Sequence, residues 1–322
     1  MRSIIIGAGV VGLTTALTLA ERGAHVTLLE RSPELGGNAS WLAGGMLAPF
    51  CEGESAPQSV VELGEGAIDW WDVRAPGVTR EGTLVVAPPR DSGEIDRFAA
   101  RTKAHAPVDE ARIAELEPDL AGRFRKGLFF VDEGHLDPRV ALAALTERLR
   151  AQGGEMRFGA DGEALGDAGV LIDCRGWAAR KALPELRGVR GEMMRIRSRE
   201  VTLTRAVRFL HPRIPLYVVP RANHEFMIGA TMIESAEKGA VSVRSAIEML
   251  SAAYALHPAF GEAEILEMSA DVRPAYPDNE PRIDERGGRI FVNGFFRHGF
   301  LLAPAFADRV ATLAFERAGA LV

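Results

Sequence analysis

Gly7, Gly9 and Gly12 form the spacing GxGxxG directly behind a β-branched run at residues 3–6 and directly ahead of a helix-like stretch at residues 13–22. Glycines at these steps make a tight turn and let the backbone around Val10 and Val11 close on a pyrophosphate at a helix N-terminus. Glu30 ends a second strand-like run, 18 residues past Gly12. A carboxylate there accepts hydrogen bonds from an adenosine ribose. The combination reads as a dinucleotide site, with FAD and NAD both open. Metal chemistry is not indicated: Cys51 and Cys174 lie outside any CxxC, and His25, His105, His135, His211, His224 and His257 lack ligand spacing. Those histidines are expected to be solvated or core side chains.

The elements that must hold this site follow from hydrophobic periodicity. Residues 3–30 make a strand, turn, helix, strand unit. With 322 residues, 47% hydrophobic and 25% charged, the chain is an ordinary globular protein of about two domains. Its net charge of −6 provides no basic field for nucleic acid or anionic lipid. The uncharged run at residues 4–20 is broken by three glycines and is followed by no convincing cleavage pattern. No export signal and no membrane span is expected, and the location is expected to be cytoplasmic.

Residues 31–49 are rich in Gly, Ala and Ser, as suits backbone lying against a flat ligand. Residues 62–120 read as an insertion around a strand at 82–87, with Trp70 and Trp71 in its core. Asp137 and Pro138 open a helix, as N-cap and first-turn residue. A strand at 170–172 returns to the nucleotide-binding unit. Serial strands at 192–197, 216–220 and 225–230 suggest an antiparallel sheet. A last strand at 289–293 and a helix-like tail at 303–317 complete the chain. The Gly/Ala crossing and the distant C-terminal return favour FAD, whose isoalloxazine half needs such walls.

At Ala39-Ser40-Trp41-Leu42-Ala43-Gly44-Gly45-Met46-Leu47-Ala48-Pro49 the chain resembles the D-amino-acid oxidase superfamily, and most closely the glycine oxidases of thiamine biosynthesis. The resemblance returns in Leu216-Tyr217-Val218-Val219-Pro220-Arg221 and in Gly229-Ala230-Thr231-Met232. It returns again in Arg273-Pro274 with Asp278 and Pro281, and in Phe296-Arg297-His298-Gly299-Phe300-Leu301-Leu302-Ala303-Pro304. Motifs in this order, from the first strand to the last helix, are far more specific than any one of them.

The resemblance implies an α/β fold: a Rossmann-like FAD-binding domain of the glutathione-reductase type and a second, antiparallel-sheet substrate domain. Residues 1–50, 122–188 and 268–322 would form the first, and residues 51–121 and 189–267 the second. Arg297 would pair with a substrate carboxylate as a planar fork, with Arg273 and Tyr217 adding donors. Alternative roles are a surface arginine for Arg297, a salt bridge with Asp278 for Arg273, and a plain strand aromatic for Tyr217. Glu30, Arg31, Ala39, Ser40, Gly44, Gly45, Met46, Phe296, His298, Gly299, Phe300 and Leu301 would join the glycine turn in holding FAD. The C-terminal helix would begin near Gly299 with Pro304 in its first turn, its amides facing the pyrimidine edge of the flavin. Met46 and Ala48 would wall a small substrate pocket.

The reaction implied is oxidation of glycine or another small amino acid to its imine, with dioxygen as the second substrate and hydrogen peroxide released. No catalytic base is required if the carboxylate is held and the amine is neutral. Dissociable FAD is expected, since no cysteine lies in the C-terminal segment. A thiazole synthase is an implied partner, and oligomerisation is open. Three departures from the family stand out: His298 where Asn is usual, Pro215 where some relatives carry histidine, and a shortened stretch at 157–170 ahead of Asp173-Cys174-Arg175-Gly176. Competing readings are a D-amino-acid or sarcosine oxidase or dehydrogenase, a nicotinamide-dependent dehydrogenase, and a non-catalytic flavoprotein.

Overall fold

The computed structural model describes residues 1–161 and 169–320. Strand β1 (Arg2–Ile6), helix α1 (Val10–Glu21) and strand β2 (His25–Glu30) form the expected opening unit, with β1 and β2 paired in parallel. β1 sits at the centre of a six-stranded sheet, between β2 and Val170–Asp173. Glu155–Phe158 lies outside β2, and Arg289–Asn293 with its antiparallel partner Arg282–Arg286 completes the other edge. A largely parallel sheet must be covered on both faces, and helix α1 is accordingly buried along almost its whole length. Leu13 and Leu17 share a core with Leu142, Leu145 and Leu149 of the helix Pro138–Ala151, and with Leu302, Phe306 and Val310 of the helix Gly299–Ala320. The helix Pro138–Ala151 starts as its sequence dictates, with the Asp137 side chain accepting from the Arg139 amide at 2.8 Å and proline in the first turn.

The second sheet has nine strands. It is antiparallel as expected except where Ala206–Phe209 runs parallel to Thr83–Val86, because two separate excursions of the chain meet there. Leu84, Phe209, Val218 and Ile228 pack beneath Met249, Ala252 and Leu256 of the helix Val243–Leu256.

Several expected boundaries move. Lys126–Phe130 belongs to the second sheet, not the first, because it pairs with Thr83–Val86 and buries Leu128 and Phe130. Glu264–Ala275 pairs with Arg187–Arg197 along its length and so crosses the expected break at residue 268. The helices Gln58–Gly64 and Ala67–Asp72 pack on the C-terminal helix, so Trp71 belongs to the core of the nucleotide-binding unit. That helix runs from Gly299, which places Pro304 beyond the first turn. Proline there leaves the Phe300 carbonyl without an intrahelical donor, and the Trp71 indole N–H donates to it at 2.8 Å. Among the described residues no helix is long and apolar enough to cross a membrane. Half of the shortened stretch at 157–170, residues 162–168, lies outside the described residues.

Candidate active site

A cavity of about 780 Å³ opens between the two sheets. Every site residue named from the sequence lines it except Gly12, His298 and Leu301, and the pocket-wall candidate Ala48. Each exception has a physical reason. Gly12 lies under the turn: a Cβ there would come within 1.8 Å of the Gly7 carbonyl oxygen, so the residue serves close packing. Leu301 is buried against Gly64. Ala48 is fully buried with Val85 and Phe130. The His298 ring turns away to bond Glu52.

The nucleotide end is built by the first turn. Gly7 has φ +103°, a conformation other residues rarely adopt. Ser40 Oγ, from the Gly/Ala-rich crossing, accepts from the Val10 amide at 3.0 Å. Glu30 accepts from the Ala8 amide at 2.8 Å with one oxygen and from the Ser32 amide at 2.9 Å with the other. These bonds fix the carboxylate at the cavity wall, and each oxygen keeps a second lone pair for a ribose hydroxyl. Close glycine packing at the start of helix α1 and a fixed carboxylate fit a dinucleotide such as FAD. The crossing then continues along the cavity, with the Gly44 carbonyl held by the buried Arg221 at 2.6 Å.

At the other end the guanidinium of Arg297 meets Glu52, a residue the sequence reading missed. Arg297 Nε lies 2.8 Å from Glu52 Oε2, while its terminal nitrogens reach Ser55 Oγ at 2.7 Å and the Met232 sulfur at 3.7 Å. His298 Nε2 is 3.0 Å from the same Glu52 oxygen, and the Tyr217 hydroxyl donates to Oε1 at 3.1 Å. Burial alone would raise the Glu52 carboxyl, but Arg297, His298 and Arg208 outweigh it and hold it well below the usual carboxylate range. Arg208, also missed, is buried and donates to the Tyr217 hydroxyl at 2.7 Å. Burial keeps Tyr217 a neutral phenol. Its one proton is committed to Glu52, so Tyr217 reaches a ligand as a donor only by exchanging that bond.

Arg273 is half-buried beside Gly191, where a Cβ would lie 2.3 Å from the guanidinium, so the glycine makes its room. One nitrogen donates to the Thr231 carbonyl at 3.0 Å. Burial and the charge of Arg297 bring its value down to about 10, still protonated at neutral pH. Asp278, the partner considered for it above, pairs with Arg282 at 2.5 Å instead. Neither Glu52 nor Arg208 had a local sequence signal: both look like ordinary charges near helix and strand ends, and only the tertiary fold brings them to Tyr217.

Behind this cluster Glu133 is buried and accepts from the Cys51 amide at 2.6 Å. Burial, more than that bond can offset, pushes its carboxyl up to about 8. An acid raised in this way stays protonated in the fold after the unfolded chain has ionised, so stability declines as pH rises from the ordinary carboxyl range to about 8 and levels off above. Glu133→Gln keeps the acceptor and removes the ionisation. It is expected to add about 1 to 3 kcal/mol at pH 8 and less at pH 5. Thermal melts of both proteins across that range check this, and parallel pH profiles would refute it.

Comparison with known proteins agrees with this geometry. The family of FAD dependent oxidoreductases termed DAO matches residues 2–313. A candidate thiamine biosynthesis oxidoreductase, ThiO, of Rhizobium etli is 55% identical over 312 residues, covering 97% of this chain and 95% of that protein. The glycine oxidase of Pseudomonas aeruginosa is 26% identical over 350 residues, covering 97% and 94%. The crystal structure of glycine oxidase from Bacillus cereus superposes with a TM-score of 0.84 at 22% identity, covering 98% of this chain and 97% of that one. With a GxGxxG turn, a carboxylate fixed at the end of β2 and a continuous family match over nearly its whole length, the chain belongs to the DAO family of FAD-dependent oxidoreductases.

Proposed function

We propose that this enzyme oxidises glycine, or another amino acid of similar size, to its imine, and that the product serves formation of the thiazole of thiamine. The observation that carries the reading is that Arg297 and Arg273 line one cavity close enough for the charge of one to act on the other, Arg297 standing just ahead of the helix Gly299–Ala320. The 55% identical relative, named for thiamine biosynthesis, supports the pathway assignment. FAD supplies the two-electron acceptor, which dioxygen returns to its starting state with release of hydrogen peroxide.

The protein's own part is positioning and charge. Arg297 offers the edge of its guanidinium that faces Ser55 and Met232, since its Nε is taken up by His298 at 3.2 Å and Glu52 at 2.8 Å. A carboxylate displaces these weaker partners and gains a bidentate pair. Arg273, with donors to spare beyond its bond to Thr231, neutralises the second oxygen. Cavity-lining Gly44, Gly45 and Met46 would exclude water around the reacting carbon. FAD is dissociable in this reading, since the cavity-lining cysteine, Cys174, sits beside Gly7 at the nucleotide end. A thiazole synthase in the cytoplasm is the partner that would consume the imine.

Met46 lines the cavity and packs with Tyr217, so it limits substrate size. Side chains beyond a methyl are expected to lose about 1 to 3 kcal/mol by overpacking. Glycine and sarcosine should therefore surpass D-alanine, and D-alanine should surpass D-phenylalanine, in kcat/KM for peroxide formation. Met46→Gly is expected to narrow those gaps. A wild type that prefers D-phenylalanine would refute the small-substrate reading and leave a general D-amino-acid oxidase, and flavin reduction without peroxide would leave a dehydrogenase.

A further inference from the structure

We propose that Glu52 receives the substrate's amino group, and so sets the preference for amino acids over other small carboxylic acids. The assignment rests on the reading above in which Arg297 and Arg273 hold the carboxylate.

Glu52 ends the short helix Pro49–Glu52 and lines the cavity beside Arg297. Its two oxygens are used unequally. Oε2 lies 2.8 Å from Arg297 Nε and 3.0 Å from His298 Nε2, and the Arg297 Nε–H also donates to His298 Nε2 at 3.2 Å, so this oxygen faces both partners. Oε1 has the Tyr217 hydroxyl at 3.1 Å, while Arg208 stands off at 3.8 Å. A carboxylate oxygen takes two good donors, so Oε1 has room for one more on the cavity side. An amine N–H is a donor that an alcohol-free acid such as acetate lacks.

The charges around the site select the same partner. Glu52 is an ionised carboxylate taken out of water, and Arg297 holds one side of it. When a substrate carboxylate draws on Arg297, part of that compensation is lost, and a cationic or strongly donating group on the same ligand restores it. The neighbouring acid, Glu54, also lines the cavity but differs in its partners, Arg101 at 3.0 Å and Arg208 at 3.7 Å. An amino acid, with its carboxylate on Arg297 and Arg273 and an amine N–H on Glu52, completes the set, whereas a simple carboxylic acid leaves Glu52 under-compensated. Glu52 thus acts as the amine half of a two-point clamp.

A merely structural role, in which Glu52 only orients Arg297, makes a different forecast, and two ligands separate the two. Acetate offers a carboxylate alone, and its affinity is read from perturbation of the flavin absorption in the FAD-loaded enzyme. Glycine offers both groups, and its half-saturation is read from rates of anaerobic flavin reduction. Glu52→Gln is expected to weaken glycine by at least about 30-fold, with acetate bound as well as before or within about threefold. Glu52→Asp, which keeps the charge, should lose less for glycine and leave acetate alone; it provides the same comparison if the glutamine variant does not retain FAD. Parallel weakening of acetate and glycine would reduce Glu52 to an orienting residue, and unchanged glycine would remove it altogether. A wild type that binds acetate but is reduced by no amino acid would overturn the oxidase reading together with this assignment. A wild type reduced by glycine with a variant that handles glycine equally well overturns the Glu52 assignment alone.

Discussion

Arg297→Lys is expected to lower kcat/KM for the amino acid by about 2 to 4 kcal/mol, chiefly through KM, while FAD stays bound. The substitution keeps a charge and loses a shape. Arginine at 297 divides its work: Nε is tied to Glu52 at 2.8 Å, and the two terminal nitrogens face Ser55 and Met232. A lysine has one nitrogen for both tasks, and Glu52, fixed by His298 and Tyr217, captures it first. The substrate carboxylate is then left with Arg273 as its sole guanidinium in a water-poor cavity. FAD retention follows because the nucleotide end, built on Gly7, Ser40 and Glu30, has no contact with Arg297. Steady-state kinetics with glycine and the flavin-to-protein absorbance ratio check both halves. An unchanged KM would remove Arg297 from the carboxylate site, and loss of FAD would place its role at the cofactor instead.

The two ends of the cavity differ in how far the sequence foretells them, and the reason is contact range. The turn at Gly7 to Gly12 is local: strand, glycines, helix and Glu30 fall within one short βαβ unit, so spacing alone conveys the geometry. The resemblance motifs likewise lead to Arg273, Tyr217 and Arg297, and the fold brings these to one cavity wall. Glu52 has no such signal. It bonds His298 across 246 positions, and nothing in the residues near position 52 announces that meeting. Trp71 shows the same limit, since its partner is the Phe300 carbonyl 229 positions away, and reading it from its neighbours assigns it to the wrong core. Domain boundaries slip for a related reason. Lys126–Phe130 and Glu264–Ala275 choose their sheet by the strand they pair with, which local alternation does not specify.

Gly12→Ala is expected to weaken FAD binding and fold stability together, by about 1 to 3 kcal/mol each. The added Cβ would stand 1.8 Å from the Gly7 carbonyl oxygen and 3.0 Å from its carbon, with Cys174 Cβ at 3.5 Å on the far side. Neither wall yields easily. Gly7 is anchored by its amide to the Leu29 carbonyl at 2.7 Å, and Cys174 by its amide to the Ile6 carbonyl at 2.8 Å. Relief must come from lifting the start of helix α1 away from the turn, which moves the backbone of the cavity-lining Val10 and Val11 and the bond from Val10 to Ser40. That helix start is where a pyrophosphate would sit, so the cofactor loses affinity along with the fold. Gly66→Ala is the control, because Gly66 has an ordinary backbone conformation and nothing within 4 Å of its added Cβ. Flavin content after purification, the dissociation constant for added FAD and the melting temperature of the apoprotein separate the two effects. A Gly12→Ala protein with full flavin occupancy and an unchanged apoprotein melt would show that the turn relaxes without cost. That result would remove the close packing of Gly12 on Gly7 as the reason a glycine stands there.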